Sequence, residues 1–212
     1  MSKERLIAFT DAILAIIMTI LVLELAKPAF DTPSAFWALR TAYFSYALSF
    51  FWLGSLWVGL NSIWGEVKRI NNTVIWLNLL MLFFASLIPY ATSLCSDNFN
   101  SRTMQGFYGI VVIAMTVVNY FLHKALDKPN QDAPDLLEAT NTYRKLLLPD
   151  IGIKIVGLIL ALTVYPPIMM YSVLLAAAYI IPAKHITGKR AKQKKLPGTT
   201  DTAAGRSDGE DS

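Results

Sequence analysis

Long apolar runs alternate with short polar breaks along most of this 212-residue chain. A hydrocarbon core of about 30 Å takes roughly 20 helical residues at about 1.5 Å each. Six segments reach or approach that length: residues 5–26, 36–63, 72–94, 104–125, 147–164 and 167–184, the last two short and joined by Tyr165-Pro166-Pro167. The connectors "KPAFDTPS", "SDNFNSR" and "DKPNQDAPDLLEATN" carry turn and breaker residues. The pattern predicts an all-α integral membrane protein with six transmembrane helices in one domain, 1–186. From 187 to 212 the chain is Lys-rich and then polar, without periodicity, which predicts a disordered basic and polar cytoplasmic tail.

Composition agrees: 54% of residues are hydrophobic and the mean hydropathy is +0.44, above the range of soluble domains. The net charge of +4 does not read as nucleic-acid binding, because the basic residues flank apolar spans and form no separate basic domain. With the N-terminus inside, Lys3, Arg5, Lys68, Arg69, Lys124, Lys128, Arg144, Lys145, Lys184 and the "GKRAKQKK" tail fall on the inner side, against only Lys27, Arg40 and Arg102 outside. The positive-inside rule then predicts a multi-pass protein of the cell membrane with both termini cytoplasmic. Lys154, within the fifth span, is expected to snorkel back to the inner surface. "MSKER" resembles a signal n-region, but the apolar stretch after it is too long and is interrupted by Asp11, so it reads as a retained helix. Cys95 is the lone cysteine and cannot form an internal disulfide.

The first span, "RLIAFTDAILAIIMTILVLEL", holds groups that lipid rejects. At about 100° per residue, Ala12, Thr19, Ile20 and Leu23 lie within about 60° of Ile16, whereas Asp11 lies about 140° and Thr10 about 120° away. A carboxylate in mid-span costs about 2.5–3.5 kcal/mol on insertion scales, so Asp11 needs a partner or a wet cavity. Depth nominates Trp57, Asn61 and Trp64 of the second span, spaced i, i+4, i+7, together with Asn78 of the third and Arg5. The two tryptophans equally suit an interfacial aromatic belt. The Ile16 stripe reads as helix packing or as pore lining, and periodicity does not choose between them.

Arg5, Phe9, Thr10 and Asp11, followed by an Ala/Ile-rich helix ending in Leu-Glu-Leu, resemble the first-helix signature of the transmembrane protein 175 family, the endolysosomal potassium channels and their bacterial relatives. Thr10 stands where the family has Ser. Asn78 and Pro89 in "WLNLLMLFFASLIPY" match two further family elements, and the resemblance runs over roughly residues 4–186. Where many bacterial members carry a His pair after Trp57, this chain has Leu60, Asn61 and Ser62.

The resemblance implies a six-helix unit assembled as a homotetramer whose first helices line a central pore without a selectivity loop. It puts the hydrophobic constriction on Ile16, further apolar layers on Ile20 and Leu23, and a hydroxyl ring linked to potassium preference on Thr19. Read physically, a greasy ring gates by dewetting and sieves ions by how readily they shed water. Potassium is therefore expected to be the permeant ion, modestly preferred over sodium. Glu24, at the outer mouth, reads as a cation-attracting group or as a bond to a neighbouring helix. Arg5, Thr10, Asp11, Trp57, Asn61 and Asn78 are expected to form a structural polar network that fixes the rotation of the first helix.

The competing reading is a proton- or cation-coupled secondary transporter with its site at Asp11, Asn61 and Asn78. An enzyme is not expected: His123 and His185 stand singly, and no metal-ligand spacing, phosphate loop or nucleophile elbow occurs. No cofactor and no resident metal are expected, and no arginine ladder suggests voltage sensing.

Overall fold

The computed structural model describes residues 1–180; the predicted tail at 187–212 and the end of the sixth span lie outside the described residues. The chain forms α1 (Lys3–Leu23), α2 (Pro33–Ala38), α3 (Arg40–Trp64), α4 (Asn72–Ser86), α5 (Ile88–Asp97), α6 (Arg102–Asp127), a 3-10 turn at Lys128–Asn130 and α7 (Pro134–Thr163), then α8 (Ile168–Ile180). Five segments, with α4 and α5 taken together, are long and apolar enough to cross a membrane, and α8 is a shorter apolar helix. The all-α membrane class stands.

Local chemistry sets most of the boundaries. Side-chain oxygens of Ser2, Thr32, Asn71 and Ser101 accept from the backbone N–H three residues on, capping α1, α2, α4 and α6. The third predicted span is interrupted at Leu87, between α4 and α5. Pro89 explains the break: it has no N–H to give the Ala85 carbonyl, and its ring crowds that turn.

The fifth span departs from expectation at its start. The connector expected to be irregular becomes helical at Pro134, well before residue 147. Pro134 suits the first helical turn, Asp135 favours the positive end of the helix dipole, and Leu136 is fully buried. Asp127, at the end of α6, accepts from Thr140 Oγ1 at 2.6 Å and pairs with Arg144, so these two polar side chains of the early stretch are satisfied against α6.

In the packing, α6 sits centrally against α4, α5 and α7, while α1 packs on α3, α4 and α5. The core is apolar along its length, with Leu6, Leu53, Ile63, Met81, Ile88, Met115 and Leu122 almost fully buried. The outer face of α7, by contrast, leaves Leu148, Ile155, Val156 and Ile159 exposed, as lipid contact requires. Where α7 meets α8, a Cβ on Gly157 would lie 2.1 Å from Ser172 Oγ and 2.3 Å from its Cβ, so only glycine fits that approach.

One end of the bundle is tied together by side chains reaching loop backbone. Lys3 Nζ donates to Val67 O at 2.7 Å. Asn130, fully buried, accepts from the N–H groups of Lys68 and Arg69 and donates to the carbonyls of Arg69 and Leu126. At the other end, Arg102 reaches Thr163 O at 3.5 Å. Lys3 and the backbone of Lys68 and Arg69 thus lie together at the end of the bundle where α1 starts.

Candidate functional site

Two faces of α1 have different surroundings. Leu6, Thr10, Leu14, Ile17 and Leu21 are buried against the bundle. The opposite face is uncovered in the protomer: Ile16 is 57% and Leu23 78% exposed, Ile20 is partly so, and Ala12 and Thr19 are exposed between them. The i, i+3, i+4, i+7 row predicted to share one side does share it. Glu24 closes the helix at its far end and is also exposed.

Thr19 is oriented by its own helix. Its hydroxyl donates to the Ile16 carbonyl at 2.8 Å. That bond occupies the single hydroxyl hydrogen and leaves the oxygen lone pairs outward. Thr19 therefore offers acceptors, the property a cation needs.

The polar side of α1 divides its partners differently from the sequence expectation. Trp57 Nε1 donates to Asp11 Oδ1 at 2.9 Å, which gives this tryptophan a specific role beside any belt position. Asn78, fully buried on α4, donates instead to Thr10 Oγ1 at 2.8 Å, and Thr10 donates onward to Leu6 O at 2.8 Å. Among the described residues, the side chains of Asn61 and Arg5 make no hydrogen bond or ion pair, and buried Trp64 finds no acceptor for Nε1. The helical wheel explains Arg5: it falls about 20° from Ile16, on the exposed face rather than beside Asp11. Two separate hydrogen-bonded pairs thus replace one expected network. Among the described residues, no group of metal-binding side chains collects around Asp11.

A second polar cluster was missed in the sequence reading. Lys154 Nζ bonds Asp150 Oδ2 at 2.6 Å and Thr116 Oγ1 at 3.0 Å, and stands 5.0 Å from the centroid of the Trp52 ring. The pair is 1% and 2% exposed. The expectation that Lys154 snorkels to the surface is corrected: Asp150, one turn earlier on the same helix, holds the ammonium inside the bundle. The signal was available as an acid and a base at i, i+4 within an apolar run.

Comparison with known proteins places these features in a family. The sequence pattern described as endosomal/lysosomal potassium channel TMEM175 matches residues 5–89, which include all but the first two residues of α1 and the Thr10, Asp11, Trp57 and Asn78 positions. A protein of Chryseobacterium sp. (strain P1-3) named a potassium channel is 30% identical over 187 residues, covering 88% of this chain and 96% of that protein. A Streptomyces collinus protein, also named a potassium channel, is 28% identical over 144 residues, covering 61% of this chain and 70% of its own length. In fold, the chain is similar to the crystal structure of a lysosomal potassium-selective channel TMEM175 homolog from Chamaesiphon minutus, with a TM-score of 0.66 at 20% identity over 85% of this chain and 97% of that one.

Proposed function

Because this chain belongs to the TMEM175 family, we propose that it is a potassium-preferring cation channel, formed by four copies whose α1 helices surround one pore. The observation that carries this reading is the uncovered α1 stripe, apolar at Ile16, Ile20 and Leu23 and interrupted by the outward-facing Thr19 oxygen. A closed ring of identical subunits turns one such stripe into successive rings of four side chains.

Ile16 forms the narrow ring in this reading. Apolar side chains offer a cation no ligand, so the ring excludes water when tight and favours ions that shed or deform their hydration shell at lower cost. Potassium meets that condition better than sodium. Thr19, one turn away, supplies acceptor oxygens to an ion part-way through dehydration, and Ile20 and Leu23 continue the apolar wall. Glu24 lies at the outer mouth, where its charge raises the local cation concentration. With the basic end of the bundle in the cytoplasm, both termini lie inside and the protein resides in the cell membrane.

A coupled transporter using Asp11 has less support, since Asn78 is engaged by Thr10 and Asp11 has Trp57 as its partner. Flux from potassium-loaded proteoliposomes, repeated with sodium in place of potassium, separates the readings. A channel gives currents that reverse at the Nernst potential of the imposed gradient. Absence of flux with either ion would overturn the proposal.

A further inference from the structure

Away from α1, the protomer interior contains an ion pair that permeation does not use. Lys154 carries three N–H donors, and two go to Asp150 Oδ2 and Thr116 Oγ1. Trp52 covers the ammonium on a further side. Among the described residues, the other carboxylate oxygen of Asp150 accepts no hydrogen bond, and buried Asn119 has no partner for Oδ1. Asn119, Asp150 and Lys154 all border one small space of about 30 Å³, lined also by Ser55, Met115 and Leu147.

Its size and chemistry select the occupant. A single water needs about 10–15 Å³ by such a measure and usually makes about three hydrogen bonds. The three residues that border it leave, among the described residues, a third ammonium N–H, a carboxylate oxygen and an amide oxygen without a hydrogen-bond partner. An alkali ion fits poorly, because Lys154 already supplies the positive charge that Asp150 balances. An anion would meet the same carboxylate. Leaving the three groups bare in a low-dielectric interior is costly.

We propose that each protomer binds one internal water between Asn119, Asp150 and Lys154. The water accepts from Lys154 Nζ and donates to Asp150 Oδ1 and Asn119 Oδ1. It thereby completes the shell of the ion pair and joins α6 to α7 beneath the Trp52 ring. This site belongs to the single protomer and does not depend on the channel reading.

X-ray-pulse hydroxyl-radical labelling of the purified full-length protein tests it, because radicals born from a bound water mark the side chains beside it whatever their exposure to bulk solvent. Met115 borders the space and Met170 does not, yet both are 0% exposed. Labelling of Met115 should exceed that of Met170 several-fold, and Asn119→Leu should reduce it to the Met170 level. Equal labelling of the two methionines in the unaltered protein would overturn the proposal, whether or not the variant folds. Replacement of potassium by choline in the buffer should leave the Met115 signal unchanged; a rise on removing potassium would assign the space to a cation and also overturn the water.

Discussion

Trp57 on α3 gives its indole N–H to Asp11 on α1 across 2.9 Å, on a part of α1 turned away from Ile16. This bond acts on helix rotation, so its loss should cost stability before it changes ion preference. Trp57→Phe and Asp11→Ala are each expected to lower stability by about 1–2 kcal/mol. In thermal unfolding in detergent, the double variant should be no worse than about the weaker single one. Strict additivity would dissolve the pairing, and a stable variant with an altered reversal potential would move Asp11 into the pore.

Thr19 and Ile16 predict separable effects on permeation. Thr19→Val removes the outward oxygen while nearly preserving shape, and should lower the potassium-over-sodium permeability ratio measured from bi-ionic reversal potentials. Ile16→Ser wets the proposed constriction and should raise total cation flux several-fold with weaker discrimination. An unchanged ratio in the first variant, or unchanged flux in the second, would remove the residue from its role.

Gly157 faces Ser172 where α7 and α8 touch. Gly157→Ala forces a Cβ into Ser172, and overpacking of this kind costs about 1–3 kcal/mol. Ser172→Ala would not relieve it, because the Ser172 Cβ itself stands 2.3 Å from the added atom. Ser172→Gly should. Recovery of melting temperature only in the Gly157→Ala/Ser172→Gly pair is the expected result.

Lys154 and Asp150 should behave as a unit. Removing one charge strands the other in the bundle, at about 3–5 kcal/mol, whereas removing both leaves an apolar interior. Lys154→Met alone should therefore unfold at a markedly lower temperature than Lys154→Met/Asp150→Leu. Equal losses in single and double variants would mean that the pair is not charged in the native protein.

Much of this was readable before any coordinates. The approximate positions of the apolar runs, and the split of α1 into two faces, follow from hydrophobic period alone, because lipid and packing both enforce it. Which partner each polar group takes was not readable. Asn78 goes to Thr10 rather than Asp11 because one residue of shift turns a helical side chain by about 100°, more than depth matching can resolve. The early start of α7 was hidden for a related reason: two of its polar residues, Thr140 and Arg144, are satisfied by Asp127 at the end of the preceding helix, and composition does not show such compensation. Pro89 ends α4 as its chemistry demands, although the apolar run continues past it. The pore assignment came from family resemblance, not from periodicity.

The local spacing of Asp150 and Lys154 also bears on how the chain is made. Their partners on α3 and α6 are distant in sequence, but the two charges sit one helical turn apart on the same segment. As soon as that segment coils, it presents the insertion machinery with a compensated dipole instead of two separate ions. The fifth span can therefore leave the translocon for the bilayer as a passenger that is already nearly neutral, and Trp52 and Thr116 receive it afterwards.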